Sequence, residues 1–242
     1  MDEITCTALA QLNRTFYEDF AEDFAGTRQG WLPSFDLILP HILPASNVLD
    51  LGCGNGRFLR FLGERGWRGS YGGLDRSARL LQLAGDAARV SAHIKARFAQ
   101  ADFFLSDWRV ALDLAPSEAV VSLALLHHIP GREHRRRFLS QCCALATESG
   151  LVILSTWQFV DAPRLRARIL PWSAADLSDE QVEPNDYLLA WGQGDPGRRY
   201  CAWISLEEMD RLAGEAGLRP VAHYRSDGRE GNLNLYGVYA RG

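Results

Sequence analysis

The chain has 242 residues, 47% of them hydrophobic, which suits one α/β domain with a sizeable core, or one such domain carrying an insertion. Its net charge of −4 lacks the strongly basic balance that announces a nucleic-acid binder. No apolar run reaches the roughly 18 residues of a membrane span, and the first residues lack the basic-then-apolar order of a secretion signal, so a cytoplasmic protein is expected.

The N-terminal stretch ALAQLNRTFYEDFAEDF is helical in part and ends at Gly26, and SFDLILPHIL is a second helical or mixed segment closed by Pro44. NVLDL reads as a buried strand, followed by the helix GRFLRFLGERG, which stops at Gly66. GSYGGLD is strand two, ARLLQLAGDAARV a helix, ARFAQAD strand three, SEAVVSLALLHHI strand four, REHRRRFLSQCCALA a helix and GLVILSTWQF strand five. Five strand–helix alternations signal a doubly wound parallel sheet with helices on both faces. Residues 158–203 break the regularity with the acidic run DLSDEQVEPND and the loop GQGDPGRR; so long and irregular a connection is expected to be functional. Then SLEEMDRLAGEAG has capping-box spacing at Ser205 and Glu208, with Gly217 as a stop. RPVAHYRS and LNLYGVYA flank the hairpin connection DGREGN. The expected architecture is α/β: a doubly wound, mostly parallel seven-stranded sheet with an antiparallel last strand and an insertion after strand five. Its expected parts are a helical segment over the site (1–45), a binding core (46–157), an insertion or lid (158–203) and a helix plus hairpin completing the sheet (204–242).

The five cysteines, Cys6, Cys53, Cys142, Cys143 and Cys201, are odd in number and form no C-x-x-C pair, so neither a disulfide framework nor a metal site is indicated. Nearly all cationic charge is arginine, Lys95 being the only lysine.

The glycines Gly52, Gly54 and Gly56 follow the first strand, and Arg57 stands where a dinucleotide fingerprint needs its third glycine. Asp50, at the end of a buried strand, wants a cationic partner or several N–H donors; a ligand ammonium would serve and a pyrophosphate would be repelled. Asp75 closes strand two, where a carboxylate accepts both ribose hydroxyls. Asp102 closes strand three and could accept an exocyclic amine such as that of adenine. Ribose, an adenine-like base, a cationic group and no phosphate describe S-adenosylmethionine. Acids at strand ends can also be helix caps, but the joint pattern, in register with the strand–helix alternation, favours a ligand. Cys53, Asn55, Arg76, Phe103 and Leu123 complete the expected cofactor contacts.

VLDLGCGNGRFL, GLDRS and SLALLHHI resemble class I S-adenosylmethionine-dependent methyltransferases, whose Rossmann-like sheet the expected strand order matches. More narrowly, FYEDFAEDFAGTRQGWLP, LDRS, LALLHHI with its arginine-rich helix, DYLLAW with RRYCAW, and DGREGNLN resemble the wobble-uridine tRNA methyltransferases that esterify 5-carboxymethyluridine. That resemblance implies tRNA as substrate; the eukaryotic relatives work with a small zinc-binding partner protein.

Methyl transfer from a sulfonium is an in-line displacement, so alignment and water exclusion dominate. A carboxylate acceptor, with a reference pKa near 4, is ionised at neutral pH and needs no general base. Arg28 is the candidate catalytic anchor, for the substrate carboxylate or for the cofactor's own. Tyr17 is expected to close over the site, or else merely to pack its helix. His127 and His128 follow strand four at the ligand-binding edge; one, preferably His128, would act as a base or donor, or else simply end the strand. Tyr17, His127, Arg132, Trp157 and Arg199 are expected on the substrate side. Arg132, Arg135, Arg136 and Arg137, then Arg164, Arg166 and Arg168, then Arg198 and Arg199, could form a positive rim for an RNA backbone. Trp172, Trp191 or Tyr200 could stack on a base. The alternative is solvated helix faces paired with acids such as Glu133, Asp176 and Asp179, and a small-molecule methyltransferase whose insertion is a lid.

Overall fold

The computed structural model describes residues 1–27, 30–104, 108–111, 114–192 and 197–242. Helix α1 (Glu3–Asp19) starts at Asp2, whose side chain accepts the Thr5 N–H at 2.7 Å. Its buried stripe is Thr5, Cys6, Leu9, Ala10, Asn13 and Phe16. Short α2 (Ala21–Gly26) and α3 (Pro33–Ile42) follow, the latter with proline in its first turn, where a missing N–H costs no helical bond.

The core alternates β1 (Asn47–Leu51), α4 (Arg57–Glu64), β2 (Ser70–Asp75), α5 (Ala78–Val90), β3 (Lys95–Gln100), α6 (Trp108–Ala111), β4 (Ser117–Leu123), α7 (Arg132–Leu145) and β5 (Ala146–Trp157). After α8 (Pro163–Arg166) come β6 (Ile169–Leu170), β7 (Asp186–Trp191) and β8 (Gly197–Ala202), then α9 (Leu206–Glu215), β9 (Leu218–Ser226) and β10 (Asn234–Arg241). The main sheet has seven strands in the order β3-β2-β1-β4-β5-β10-β9, with β10 antiparallel to both its neighbours. The sequence expectation for the sheet holds.

Neighbouring residues along the central strands go to opposite cores, which is why these strands read as unbroken apolar runs. Leu49, Val120 and Val152 join Phe138, Leu139 and Met209 on one face. Val48, Val121 and Ile153 join Phe35, Phe58 and Phe61 on the other.

The stretch expected to be irregular is more ordered than its composition suggests. Within 158–203, β6, β7 and β8 form a second, antiparallel sheet, with Leu188 opposite Tyr200 and Leu189 opposite Arg199. Helix α1 packs on β8, so the N-terminal helix and the insertion meet over the carboxyl ends of the main strands. No helix among the described residues is long and apolar enough to cross a membrane.

Candidate active site

The strand ends open into a cavity of about 610 Å³. It is lined by the glycine turn after β1, the ends of β2 and β4, α1, and the insertion sheet. Cavities at this edge are where doubly wound sheets hold ligands.

The glycine turn divides its labour. Gly54 has a φ of +55° and faces open space, so a cofactor can approach bare backbone there. Gly56 has a φ of +72°, and a Cβ on it would come within 2.9 Å of Ala87 Cβ, so its absence lets α4 and α5 pack closely.

Asp75 accepts the Ser77 N–H on Oδ1 at 2.9 Å and the Gly54 N–H on Oδ2 at 2.8 Å. Burial raises its pKa while these N–H donors lower it. The carboxylate therefore both shapes the glycine turn and keeps acceptor capacity for a diol. Asp102 Oδ1 accepts the Phe104 N–H at 3.1 Å, and its Oδ2 pairs with Arg76 at 3.1 Å. Arg76 also donates to the Ala10 carbonyl at 2.7 Å, tying α1 to the end of β2.

Asp50 is buried, and among the described residues neither a cationic side chain nor a set of N–H donors meets its carboxylate: the Tyr71 hydroxyl donates to it instead. Burial pushes its carboxyl up to about 7, with the nearby Asp75 charge adding to the rise.

On the opposite wall, Ala124, at a φ of +58°, turns the chain out of β4 into a single 3₁₀ turn carrying both histidines. His128 Nδ1 lies 3.0 Å from the Tyr200 carbonyl oxygen, and its Nε2 lies 2.7 Å from the Tyr17 hydroxyl. A carbonyl can only accept, so Nδ1 carries the proton and Nε2 accepts from Tyr17. His127 is buried; its Nδ1 accepts the Trp157 N–H at 3.3 Å, and burial, with His128 and Arg199 nearby, holds its pKa well below the usual value.

Arg199 is 4% exposed. Its guanidinium lies 4.7 Å from the Trp157 ring centre, 5.0 Å from that of Trp191 and 5.3 Å from that of Phe16. It has no hydrogen-bond or ion-pair partner among the described residues, and its Nε is buried and unsatisfied.

The cavity thus brings together Asp50, Gly52, Cys53, Gly54, Asn55, Asp75, Arg76, Asp102, Phe103 and Leu123 with Tyr17, His127, His128, Trp157 and Arg199. Arg28 lies outside the described residues. Arg132 is not a cavity residue: its guanidinium reaches Glu208 at 3.0 Å and Glu215 at 2.7 Å. The expected positive rim on α7 is corrected in the same way. Arg135 is buried against Glu183 at 2.7 Å, Arg136 pairs with Glu133, and Arg137 donates to His134 and to the Phe104 carbonyl. Arg198 donates to the Ala174 carbonyl, whereas Arg164 and Arg168 line the cavity with exposed side chains. Trp172 and Tyr200 are corrected as stacking candidates: both are buried in the core, and the Tyr200 hydroxyl donates to Asp186 at 2.6 Å. Trp191 does line the cavity.

Sequence reasoning missed Asn13. Its amide donates to the carbonyls of His128 (3.0 Å) and Tyr200 (3.1 Å), and its oxygen accepts the Tyr200 N–H at 2.8 Å. The available signal was an asparagine on the otherwise mostly apolar stripe of α1. Glu3, Cys6 and His134 gather three ligand-type groups outside the cavity. Because Arg137 donates to His134 Nδ1, the imidazole keeps its proton on Nε2 and donates it to the Glu3 carboxylate at 3.0 Å, so both ring nitrogens are engaged in hydrogen bonds and neither is open to a metal.

The donor set suits S-adenosylmethionine: carboxylates where a diol, an amine and an ammonium would lie, and bare backbone between them. Comparison with known proteins agrees on the broad class. A tRNA (carboxymethyluridine(34)-5-O)-methyltransferase of Arabidopsis thaliana is 25% identical over 143 residues, which cover 58% of this chain and 31% of that protein. The chain thus spans about a third of that relative's length. A putative methyltransferase of Encephalitozoon cuniculi is 25% identical over 213 residues, covering 86% of this chain and 87% of that one. The crystal structure of Burkholderia thailandensis 1,6-didemethyltoxoflavin-N1-methyltransferase, with S-adenosylhomocysteine bound, shares the fold at a TM-score of 0.64 and 18% identity, over 96% of this chain and 88% of that one. The methyltransferase-domain family model matches residues 24–223, and the chain belongs to that family.

Proposed function

We propose that the protein transfers a methyl group from S-adenosylmethionine to the carboxylate of a 5-carboxymethyluridine at the wobble position of tRNA. The observation that carries this reading is the composition of the substrate wall. The buried Arg199 offers a carboxylate site, Trp157 and Trp191 offer faces for a base, and exposed Arg164 and Arg168 stand on the cavity lining for phosphates. The partial likeness to the Arabidopsis enzyme supports the same substrate.

Asp75 would hold the ribose, Asp102 the adenine amine and Asp50 the ammonium. When bound, S-adenosylmethionine supplies a methyl group on a sulfonium, whose departing thioether is neutral. The protein's tasks are then to orient and to exclude water, and orientation alone is worth roughly 7–11 kcal/mol in favourable systems. Helices α1 and α2 contribute Asn13, Tyr17 and Phe24 to the cavity lining and would limit the access of water to the bound cofactor. His128, with Nε2 occupied by Tyr17, positions that hydroxyl rather than removing a proton, as an acceptor already ionised requires.

The test is to incubate the purified protein with S-adenosylmethionine and tRNA bearing 5-carboxymethyluridine, with and without a small zinc-binding partner protein, and to analyse nucleosides by mass spectrometry. The expected product is the methyl ester. Methylation of a small metabolite but not of tRNA would instead identify a small-molecule O- or N-methyltransferase with the insertion as its lid.

A further inference from the structure

We propose that Arg199 is the residue that selects a carboxylate on the methyl acceptor, an inference that rests on the acceptor reading above. A guanidinium buried to this degree with no counter-charge among the described residues is costly. The aromatic rings offset part of that cost. Trp157 and Trp191 each lie within cation–π range of the guanidinium, which favours the cation without hydrogen-bonding it. The rings satisfy none of the guanidinium N–H groups by conventional hydrogen bonds, so those donors are the groups left to satisfy. A carboxylate presents two oxygens that match such a guanidinium in a fork, and a single amide oxygen does not.

Arg199 is held for the task from both sides. Its β8 neighbour Tyr200 is clamped through N–H and C=O by Asn13 and through its hydroxyl by Asp186. On β7, the buried Leu189 lies opposite Arg199 in the strand register. The other cavity arginines of the insertion, Arg164 and Arg168, are exposed, where water already satisfies a guanidinium. Arg76 already has Asp102. Arg14 is exposed and Arg57 donates to the Gly30 carbonyl, so among the described residues burial without a partner singles out Arg199 for the acid and leaves the exposed arginines for backbone phosphates. No general base enters this assignment: the arginine fixes which oxygen faces the methyl group, and neutralising that carboxylate requires no proton movement.

Three variants test it: Arg199→Lys, Arg199→Gln and Arg199→Met. Each is assayed for S-adenosylhomocysteine binding by calorimetry, for methylation of 5-carboxymethyluridine tRNA, and for inhibition by the free nucleosides 5-carboxymethyluridine and its amide, 5-carbamoylmethyluridine. Wild type is expected to prefer the acid over the amide as inhibitor. Arg199→Gln should lose that preference and raise KM for tRNA roughly tenfold or more, the loss of a hydrogen bond to a charged group. Arg199→Lys should rescue little, because a point charge neither stacks nor forks. Cofactor-product affinity should be unchanged in all three, and Arg199→Met should unfold at a midpoint no lower than wild type, because it removes an unpaired buried charge. A purely structural arginine would instead lower that midpoint, and that result overturns the assignment. So does loss of S-adenosylhomocysteine binding in Arg199→Gln, which would put the residue on the cofactor's carboxylate. So does an unchanged acid-over-amide preference. Failure of the underlying acceptor reading is seen separately, in wild type, as absence of any methyl ester on the tRNA.

Discussion

Asp50 and Asp75 sit at equivalent ends of adjacent strands and differ in what satisfies them. Asp75 is met by two backbone N–H groups, Asp50 by one phenol. If Asp75 holds the ribose, Asp75→Ala should weaken S-adenosylhomocysteine binding by roughly tenfold or more, from the loss of charge-assisted hydrogen bonds, and calorimetry would read it directly. Asp50 makes a pH prediction. Burial lifts its carboxyl from 3.8 to about 7, so the folded protein favours the protonated form. Its contribution to stability is therefore present at acid pH and lost as pH rises through about 7. A bound ammonium favours the ionised form, so affinity should rise as pH is raised through the same value, with a proton released per molecule bound. Titration in buffers of different ionisation heat measures that proton, and Asp50→Asn should abolish both the release and the pH dependence. Asp50 and Asp75 were legible in the sequence because acids at strand ends are conspicuous against apolar runs. The partnerless state of Arg199 was not, since it depends on which acids fail to reach it across β7 and α1.

Elements carry the next level. The five alternating units and the terminal hairpin could be read from the pattern, because the central strands β1, β4 and β5 are apolar on both faces and the helices on one, while turn residues mark the less buried edge strands β3 and β9. The second sheet could not: β6 is two residues long, and β8 opens with an arginine pair that resembles a loop. What holds this sheet to the core is the ion cluster that looked, in sequence, like part of an RNA-binding face. Arg135 bonds Glu183, the Tyr200 hydroxyl and the Ile129 carbonyl, while Asp186 accepts from Tyr200 and caps the Glu183 N–H at 3.1 Å. Removing one side of a buried cluster strands the other. Arg135→Met is expected to cost about 3–5 kcal/mol in urea denaturation at neutral pH. Burial already pushes the Asp186 carboxyl up to about 6, so it protonates as pH falls below that value and the cost of losing Arg135 should shrink accordingly. A loss independent of pH would mean that Asp186 is not the group left uncompensated.

For the whole molecule the question is how a chain of net charge −4 would hold a polyanion. On α7, Arg132, Arg135 and Arg136 are paired with Glu208, Glu215, Glu183 and Glu133, and Arg137 is turned to His134 and the Phe104 carbonyl, so none of the four lines the cavity. Exposed Arg164 and Arg168, with Arg14 of α1, remain on the cavity lining. A footprint this small predicts tRNA binding that weakens with salt, but with a shallow slope. Each phosphate contacted in a single-stranded loop contributes about 0.7 to the slope of log K against log salt. Replacing Arg164 and Arg168 together by glutamine should therefore reduce the slope by roughly 1.4, as measured by fluorescence anisotropy over a salt series. Arg136→Gln, which removes a charge already matched by Glu133, should leave the slope unchanged. If both variants changed it equally, the field would be set by net charge and not by where the arginines stand. If wild type showed no slope at all, the phosphates of an RNA would have no place on this surface, and the cavity arginines would be serving a small acid alone.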